Sequence, residues 1–380
     1  MQTPSRTVRG GLMTLPLVSI TVCVRNGVDW ISGCLDALLA QTHASTEILV
    51  VNDGSTDGAE SVLNDYHDPD GERGVPLRVH HQAALGLAAG RQWALSHAKG
   101  EWVAITDIDV RPEPDWITNL LAASTPVVTD ENVVAVTGRT VFEQASDLVS
   151  RLRSVEISAK YRSRPRRTSL ANGPCSMFRR SSLMEVGGFD PKWYHAEDME
   201  VSLRLLEKQG VIVYAPNAIV RHVPETGLQH FLNKRRRDAR AHVRILRHYP
   251  KRKREGPGFD FLGNSVMVLM IFPLWLTILL TGLPFLWGVA LGDLEGDDLM
   301  FQDWRGGVLA VSLALLVLHE MLAWMGPLGA VNRQVLQRSR TGKLRASLGL
   351  RYLTFRWSVA LWQGLILGWM DALMKRNGHR

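Results

Sequence analysis

The chain has 380 residues, of which 46% are apolar and 21% charged, and its formal net charge is +7. This composition excludes a wholly disordered chain and leaves room for a globular domain with a second region beside it. Residues 233–254 carry eleven lysines or arginines and one acidic residue, and an uncharged stretch begins soon after them. We therefore connect the positive charge with a membrane that contains anionic lipid, and we expect no nucleic-acid partner.

Strands and helices are predicted to alternate through the first third of the chain. A buried strand at 17–24 precedes a helix at 29–42, for which we expect one apolar face (Trp30, Ile31, Leu35, Leu38 and Leu39). A second strand ends in a polar tip at Asp53. A helix at 59–66, a strand at 77–80, a helix at 87–97 and a further strand from residue 101 follow. This order predicts an α/β fold with a mostly parallel sheet, whose ligands bind at the carboxyl ends of the strands.

The strand in "EWVAITDIDVRPEPDWI" ends in two aspartates, Asp107 and Asp109, that are separated by one residue. Side chains alternate along an extended chain, so both carboxylates are expected on the same side. Two like charges this close repel each other unless a cation or a substrate lies between them. The pattern indicates a ligand site, although a polar cap on a loop remains an alternative for Asp-x-Asp alone.

A dinucleotide-binding domain is the main rival for such an α/β pattern. That domain requires a Gly-x-Gly-x-x-Gly turn after the first strand, but the sequence there is "CVRNGVDW", with one glycine. The dehydrogenase interpretation is therefore disfavoured.

Four segments resemble the successive blocks of glycosyltransferase family 2: "VSITVCVRN", "ILVVNDGSTDG", "GLAAGRQWALSHAKGEWVAITDID" and "GGFDPKWYHAEDMEVSLRLLEKQG". They occur in the order and at the spacing of that family, between residues 17 and 222. The resemblance implies a GT-A fold and an enzyme that uses a nucleoside-diphosphate sugar.

On the donor side, the resemblance implies roles for five residues. Asp109 would bind a divalent Mg²⁺ or Mn²⁺, and Asp107 would contact the ribose or help to hold the ion. His222 would be a further metal ligand, or else a histidine that packs beside the nucleotide. Asp53 would contact the base, with UDP favoured over GDP, and Arg91 would lie near the diphosphate unless it is a solvated helix residue.

On the acceptor side, "HAEDMEVSLRLL" resembles the family's Glu-Asp motif. Asp198 would be the general base and Glu197 would shape the pocket, although acidic residues are also common in the first turn of any helix. Trp193 would stack on a sugar, and Gly173 would allow a close backbone approach.

The basic segment departs from the pattern of processive family members, which carry Gln-x-x-Arg-Trp before their membrane helices. The corresponding sequence is "GLQHFLNKRRRDARAH", without a tryptophan. The departure favours transfer of a single sugar over polymer synthesis. Arg236 and Arg240, in a cluster with Arg235 and Arg237, are candidates to bind the diphosphate, or the cluster is a polybasic segment that binds anionic lipid.

Three apolar stretches follow the basic segment. Residues 265–292 carry no charge and residues 306–331 are nearly as apolar, so we predict two membrane spans. Residues 352–374 are predicted either to span the membrane or to lie in its interface. The segment between the first two stretches is acidic, and basic residues flank the pair, which predicts a hairpin with both ends in the cytoplasm. Three cysteines without metal-ligand spacing, and no recognisable signal peptide, also favour a cytoplasmic catalytic domain.

We therefore predict an N-terminal tail (1–16), a GT-A domain (17–230), a basic juxtamembrane segment (231–258), a transmembrane hairpin (259–331) and a C-terminal loop and helix (332–380). The predicted function is metal-dependent, inverting transfer of a single sugar to a lipid or lipid-linked acceptor at the membrane. Three alternatives stay open: a polyprenyl-phosphate glycosyltransferase, a processive polysaccharide synthase, and a membrane scaffold that binds nucleotide sugars without turnover.

Overall fold

The computed structural model describes residues 15–250, 266–291, 304–325, 327–339 and 342–376. Its first half alternates strands with helices: β1 (Val18–Val24), α1 (Val28–Leu39), β2 (Thr46–Asp53), α2 (Ala59–Tyr66), β3 (Leu77–Gln82), α3 (Leu87–His97), β4 (Trp102–Asp107), β5 (Val110–Pro112) and α4 (Trp116–Ser124). The rest of the α/β region follows as β6 (Val133–Phe142), α5 (Leu148–Arg162), β7 (Arg167–Thr168), β8 (Ser176–Arg179), α6 (Arg180–Glu185), α7 (Glu197–Glu207) and β9 (Val211–His222). Helices complete the described chain: α8 (Leu228–His248), α9 (Ile271–Ala290), α10 (Trp304–Met325), α11 (Pro327–Gln337) and α12 (Lys343–Leu373).

The strands form one mixed sheet in the order β3-β2-β1-β4-β8-β6-β9-β5, with β7 paired to β9. The first four are parallel, as the alternating pattern predicts, and β8 runs antiparallel to both β4 and β6. In the register of these strands Cys23 pairs with both Val51 and Asp107. The carboxyl ends of β1, β2 and β4 consequently lie at one edge of the sheet, together with Asp53 and Asp107.

Helices cover both faces of this sheet. Ile20 and Val22 of β1 pack with α1, α2 and α4 on one face, and Val103 and Ile105 of β4 pack on the other face with α3, α6 and α7. Because both faces are covered, the strands are nearly continuously apolar, which is typical of parallel sheets. The predicted α/β fold, a mostly parallel sheet flanked by helices, is confirmed.

The helices predicted at 59–66 and 87–97 have these bounds in α2 and α3. The predicted apolar face of α1 is wrong at two positions, because Trp30 and Leu39 are 38% and 39% exposed. Cys34 takes a place in the buried face together with Ile31, Leu35 and Leu38. A narrower stripe of apolar side chains is sufficient to pack α1 on the sheet, because α1 contacts the sheet along one line of side chains.

Two helices are long and apolar enough to cross a membrane: residues Val266–Ala290 and Trp304–Met325. Pro284 lies inside the first of them. The predicted second span at 306–331 is divided, because α10 ends at Met325 and α11 begins at Pro327. A proline at the first position of a helix is compatible with such a break.

The third apolar stretch belongs to the 31-residue helix α12, which begins nine residues before the predicted start at 352. Trp357 and Leu361 of α12 pack against Phe231 and Leu232 of α8, and within the described ranges α12 is not among the candidate spans. Residues 1–14, 251–265 and 292–303 lie outside the described chain, and with them most of the predicted tail, the end of the juxtamembrane segment and the acidic loop of the hairpin.

Candidate active site

A cavity of about 350 Å³ opens at the carboxyl edge of the sheet. Its walls come from the end of β4, the end of β9, the start of α7 and one side of α8. Charged or titratable side chains from these elements, from α3 and from α5 line the cavity, among them Arg91, Asp107, Asp198, His222 and Arg235. The distant segments that resemble donor and acceptor blocks thus meet around one space.

Arg91 lies at the centre of the charged residues and is only 3% exposed. Its Nη2 donates to Asp107 Oδ1 at 2.9 Å, and its Nη1 donates to Glu197 Oε1 at 2.5 Å. Arg91 is therefore not a solvated residue on the helix surface, and that alternative is excluded. Burial raises the pKa of Asp107 and Glu197 above the ordinary range of carboxyls, and the Arg91 guanidinium opposes that rise.

Asp198 is held by main-chain amides. Its Oδ2 accepts a hydrogen bond from the Gly173 amide at 2.8 Å, and its Oδ1 accepts one from the Met199 amide at 2.8 Å. Among the described acidic residues that line the cavity, Asp198 is the one without an ion pair to a basic side chain. The arrangement leaves a fixed carboxylate that can accept a proton.

The residue before this acidic pair has an unusual backbone. Ala196, the N-cap of α7, has φ 63° and ψ 30°, in the left-handed region that residues with a side chain seldom adopt. Strained backbone of this kind concentrates at functional sites. The turn directs Glu197 to Arg91 and brings Asp198 to Gly173, so two consecutive carboxylates have different partners.

Gly173 lies close to the same arginine. A Cβ built on Gly173 would lie 2.9 Å from Arg91 Nη2, closer than real Cβ contacts. The backbone of Gly173 therefore lies close to the Arg91 guanidinium, while its predicted place on the acceptor side stays a prediction.

His222 and Asp109 form a second polar pair. The Nδ1 of His222 lies 2.7 Å from the Val223 carbonyl oxygen, which fixes the proton on Nδ1 and leaves the Nε2 lone pair toward Asp109 Oδ2 at 3.3 Å. Burial lowers the pKa of His222 below its ordinary value, although the Asp109 carboxylate opposes this, so the ring is neutral near pH 7. Phe142 stacks on the ring with centroids 4.2 Å apart and fixes its plane.

This pair fits a divalent cation. Two neighbouring ligands of an octahedral ion with bonds of about 2.1 Å lie about 3 Å apart, and carboxylate oxygen with neutral imidazole is a donor set that suits Mn²⁺. Within the described ranges no group of three or more His, Cys, Asp or Glu side chains is assembled as a metal site. Asp107 Oδ1 is already bonded to Arg91, so the fit rests on Asp109 and His222.

Asp53 ends β2 at the same edge of the sheet but does not line the cavity. It is 3% exposed, and its carboxylate accepts hydrogen bonds from the amides of Leu85 and Gly86 at 2.7 and 2.9 Å. Asp53 thus holds the loop between β3 and α3, directly before the helix that carries Arg91.

Three softer predictions need correction. Trp193 is 3% exposed and does not line the cavity; the Arg244 guanidinium lies 4.0 Å from its ring centroid, so stacking on a sugar is wrong for this ring. Arg240 points to α12, where its Nε and Nη2 donate to Asp371 at 2.6 and 2.8 Å. Arg236 is exposed and contacts Asn233, so neither arginine faces the cavity where a diphosphate would bind.

The basic residues of α8 that do line the cavity are Lys234 and Arg235. Asp238, one turn later, accepts from His195 Nε2 at 2.8 Å and pairs with Arg235 at 3.2 Å. Burial alone would raise the pKa of Asp238, but Arg235 and His195 lower it below the usual range. Sequence reasoning missed His195 and Asp238, and the adjacency of His195 to the Glu-Asp motif was the available signal.

These features define a GT-A glycosyltransferase architecture, which comparison with known proteins supports. The chain aligns over 96% of its length, and over 89% of the other chain, with the mannosyltransferase PcManGT from Pyrobaculum calidifontis, solved with GDP-Man and Mn²⁺; the TM-score is 0.54 and the sequence identity 20%. At this identity the likeness concerns the fold alone.

The family model for glycosyl transferase family 2 matches residues 19–187 of the chain, which is similar in sequence to members of that family. It is 32% identical over 133 residues to the uncharacterized glycosyltransferase EpsJ of Bacillus subtilis (strain 168), a match that covers 35% of this chain and 36% of that one. It is 28% identical over 222 residues to the pre-mycofactocin glycosyltransferase of Mycobacterium tuberculosis (strain ATCC 25618 / H37Rv), covering 57% and 44% of the two chains. The chain thus spans less than half the length of these curated relatives.

Proposed function

We propose that the chain transfers a single sugar, with inversion, from a nucleoside-diphosphate sugar to a lipid or lipid-linked acceptor at the cytoplasmic face of a membrane. The observation that carries this proposal is the cavity at the carboxyl edge of the sheet. There Arg91 bridges Asp107 to Glu197, and Asp198 stands beside them without an ion pair.

The donor side is supported by charge and position. The cavity receives Lys234 and Arg235 from α8, and both carry positive charge toward a space that a diphosphate fits. Asp53 orients the loop before α3, and through that loop it positions Arg91. The contact of Asp53 with the base stays a prediction, and we favour UDP over GDP as the donor nucleotide.

The Asp109 and His222 pair would hold the divalent cation, with Asp107 beside them. A bound Mg²⁺ or Mn²⁺ supplies Lewis-acid stabilisation for the charge that develops on a diphosphate leaving group. The chain's own contribution is to keep His222 neutral and oriented, through the Val223 carbonyl and the Phe142 ring.

The acceptor side requires a base. The acceptor hydroxyl loses its proton as its oxygen bonds to the anomeric carbon, and Asp198 Oδ accepts that proton while the bond to the diphosphate breaks. The carboxylates of Asp107 and Glu197 are bonded to Arg91 and that of Asp238 to Arg235, so their oxygens are less available to accept this proton. One direct displacement with one base inverts the anomeric centre.

The membrane assignment rests on two helices, Val266–Ala290 and Trp304–Met325, that are long and apolar enough to cross a bilayer. Helix α12 packs along α8, which lines the cavity, so a bilayer that holds α9 and α10 would lie near the active site. The proposed lipid or lipid-linked acceptor follows from that location. We place α12 in the interface, and we keep the domain bounds of 17–230 for the catalytic region and 259–331 for the hairpin.

A polyprenyl-phosphate glycosyltransferase is the second candidate. In that reaction the lipid phosphate is the nucleophile and carries no proton that must be removed. The observation that favours it is the pair of basic residues, Lys234 and Arg235, at the cavity wall. Transfer to an acceptor hydroxyl requires Asp198, whereas transfer to a lipid phosphate does not, so the effect of replacing Asp198 distinguishes the two reactions.

The test is donor turnover by the purified membrane protein with extracted lipids. UDP-, GDP- and dTDP-sugars are supplied with Mg²⁺, Mn²⁺ or EDTA, and the release of free nucleoside diphosphate is measured. We expect metal-dependent release from one donor by the wild type and by Asp70→Asn, an exposed control, and loss of release in Asp109→Asn. As a control, the lipids include the acceptor of a relative whose activity is known. If the protein then binds the donor with metal but releases no nucleoside diphosphate, the result contradicts catalysis and favours a membrane scaffold that binds nucleotide sugars without turnover.

A further inference from the structure

A second cavity, of about 750 Å³, lies beside the catalytic one. Strands β6 and β9 and helix α5 form most of its wall, α11 contributes Gln334, and the segment after α11 contributes Arg338. Its volume falls in the range of about 300–1,000 Å³ that is typical of small-molecule sites. Thr140, Phe142 and Tyr161 line both cavities, so the two spaces adjoin through one layer of side chains.

The charged side chains that line this second cavity are all positive. Among the described residues, its lining contains no aspartate or glutamate, and it contains five arginines: Arg139, Arg162, Arg164, Arg166 and Arg338. Glu131 neutralises one of them, because its carboxylate accepts from both Nη atoms of Arg166 at 2.7 Å. Arginines that converge on a cavity without a carboxylate in its wall indicate an anionic ligand.

Arg139 gives an independent indication. Its Nε is buried and makes no hydrogen bond to any described residue. A buried donor of this kind destabilises the fold unless a ligand or water satisfies it. The pairing of β6 with β9 is irregular between Thr137 and Arg139, and such bulges redirect side chains beside functional sites.

Arg164 is fixed in place by its neighbours. Its Nε donates to Thr168 Oγ1 at 3.1 Å, and its guanidinium lies 5.2 Å from the ring centroid of Tyr214 and 5.7 Å from that of Tyr161. A rigid guanidinium loses little conformational entropy when it binds, which makes it an effective part of an anion site.

The opening toward α11 connects the cavity with the helical region. Arg338 is exposed on the segment that follows α11, and its carbonyl accepts a hydrogen bond from Arg151 of α5 at 3.3 Å. Helix α11 directly follows α10, one of the two candidate membrane helices. Arg338 is thus the lining arginine nearest along the chain to a candidate membrane helix.

We propose that this arginine-lined cavity is an anion-binding site that takes a phosphate or diphosphate group of the acceptor. The acceptor part of this statement rests on the proposed function; the anion site itself does not. The shared wall of Thr140, Phe142 and Tyr161 places such a group next to the catalytic cavity, so that the attached sugar or lipid is held beside His222 and Asp198. The phosphate belongs either to a membrane lipid or to a soluble molecule.

The test is calorimetric titration of the full-length protein in nanodiscs, in EDTA, with inorganic pyrophosphate and separately with farnesyl diphosphate. The variants are Arg139→Gln and Arg338→Gln, and the matched control is Arg345→Gln, an exposed arginine of α12 that does not line the cavity. We expect each cavity variant to weaken diphosphate binding about tenfold, because each removes one charge-assisted contact, and we expect the control to match the wild type. Arg338 is exposed, so its replacement does not disturb folding.

Tighter binding of farnesyl diphosphate than of pyrophosphate assigns the phosphate to a lipid, and equal binding assigns it to a soluble molecule. Equal affinity of all four proteins for both probes would overturn the proposal. Titration of UDP with Mn²⁺ separates this result from the proposed function. We expect Asp109→Asn to weaken UDP binding and Arg338→Gln to leave UDP binding unchanged. Weaker UDP binding in Arg338→Gln would assign the arginines to the donor and would also overturn the proposal.

Discussion

The sheet region buries its large apolar side chains, whereas the two apolar helices expose theirs. In the sheet region Trp116, Phe178 and Phe189 are at most 1% exposed, whereas Leu280, Leu283 and Trp287 of α9 are 62–69% exposed. Large exposed apolar surfaces require another apolar phase to cover them. This chain thus combines a domain that folds around its own core with two helices that expose their apolar surface and are long and apolar enough to cross a membrane.

The charged residues complete the contrast. In the sheet region buried charges pair with each other around the cavity, as Arg91 does with Asp107 and Glu197. Where α8 joins the helical region, ion pairs cross between elements, as Arg240 does with Asp371 of α12. The ion pairs around the cavity and the one that joins α8 to α12 thus involve different residues, and the following changes test the two regions separately.

The largest effect is expected at Arg91. Arg91→Met leaves the carboxylates of Asp107 and Glu197 without their buried counter-ion, and removal of one partner from a buried ion pair costs about 3–5 kcal/mol. Thermal unfolding in detergent measures the loss, with Arg221→Met as control, because the Arg221–Glu113 pair has an arginine side chain that is 54% exposed. Equal loss in the two variants would contradict the central position of Arg91.

Leu280→Arg tests the membrane helices. Leu280 is 66% exposed on α9, and an arginine in the centre of a spanning helix costs about 2.5–3.5 kcal/mol of insertion. We expect alkaline extraction of membranes to release more of this variant than of Leu15→Arg, whose leucine is 57% exposed in the sheet region. Equal extraction of the two variants would show that α9 does not lie in the bilayer.

Glu225 tests the junction between the regions. Burial alone would raise its pKa, but Arg153, Lys234 and Arg235 lower it to about 2. Because the folded pKa is below the unfolded value of about 4.3, the carboxylate stabilises the fold above that value and loses this contribution as the pH falls toward 2. Glu225→Gln should therefore lower the free energy of unfolding at pH 7 by about 2–3 kcal/mol, and its deficit relative to wild type should shrink below pH 4. A deficit that stays constant from pH 7 to pH 3 would rule out this linkage.

The smallest of these effects is expected at Gly173. Gly173→Ala places a Cβ against Arg91 Nη2, which must shift by a few tenths of an ångström. We expect a loss of about 1–2 kcal/mol in transition-state stabilisation, or roughly tenfold in kcat/KM, with the melting temperature nearly unchanged. Gly342→Ala would separate this from a general effect of alanine, since a Cβ at Gly342 meets nothing within 4 Å and its φ of −50° is open to alanine. A rate equal to wild type would show that Arg91 adjusts freely.

Much of the fold could be predicted because local patterns determine it. The bounds of α2 and α3 agree with the prediction from the alternating strand and helix pattern, and the strand ends place Asp53 and Asp107 at one edge. The partners of Arg91 could not be predicted, since Glu197 lies 106 residues away along the chain. Such a contact depends on how α3 and α7 pack over the sheet.

The arginine cluster of α8 shows a second limit. Successive residues on a helix differ in direction by about 100°, so Arg235 and Arg236 face different sides. Sequence alone does not say which side meets the cavity. Packing of α8 on α12 decides it: Gly364 lies against the backbone of Arg236, and Arg235 is consequently turned toward Asp238. Trp193 was likewise placed by packing, under Arg244 and against Ile245.

The most direct test of the central claim is the transfer rate of Asp198→Asn with the active donor and acceptor lipid. The amide keeps the shape of the side chain but cannot accept the proton, so we expect the transfer rate to fall at least about 100-fold, while the Kd for the nucleotide with metal stays within about twofold of wild type. A transfer rate within threefold of wild type, with glycolipid still formed, would show that Asp198 is not the base and would favour a phosphate nucleophile.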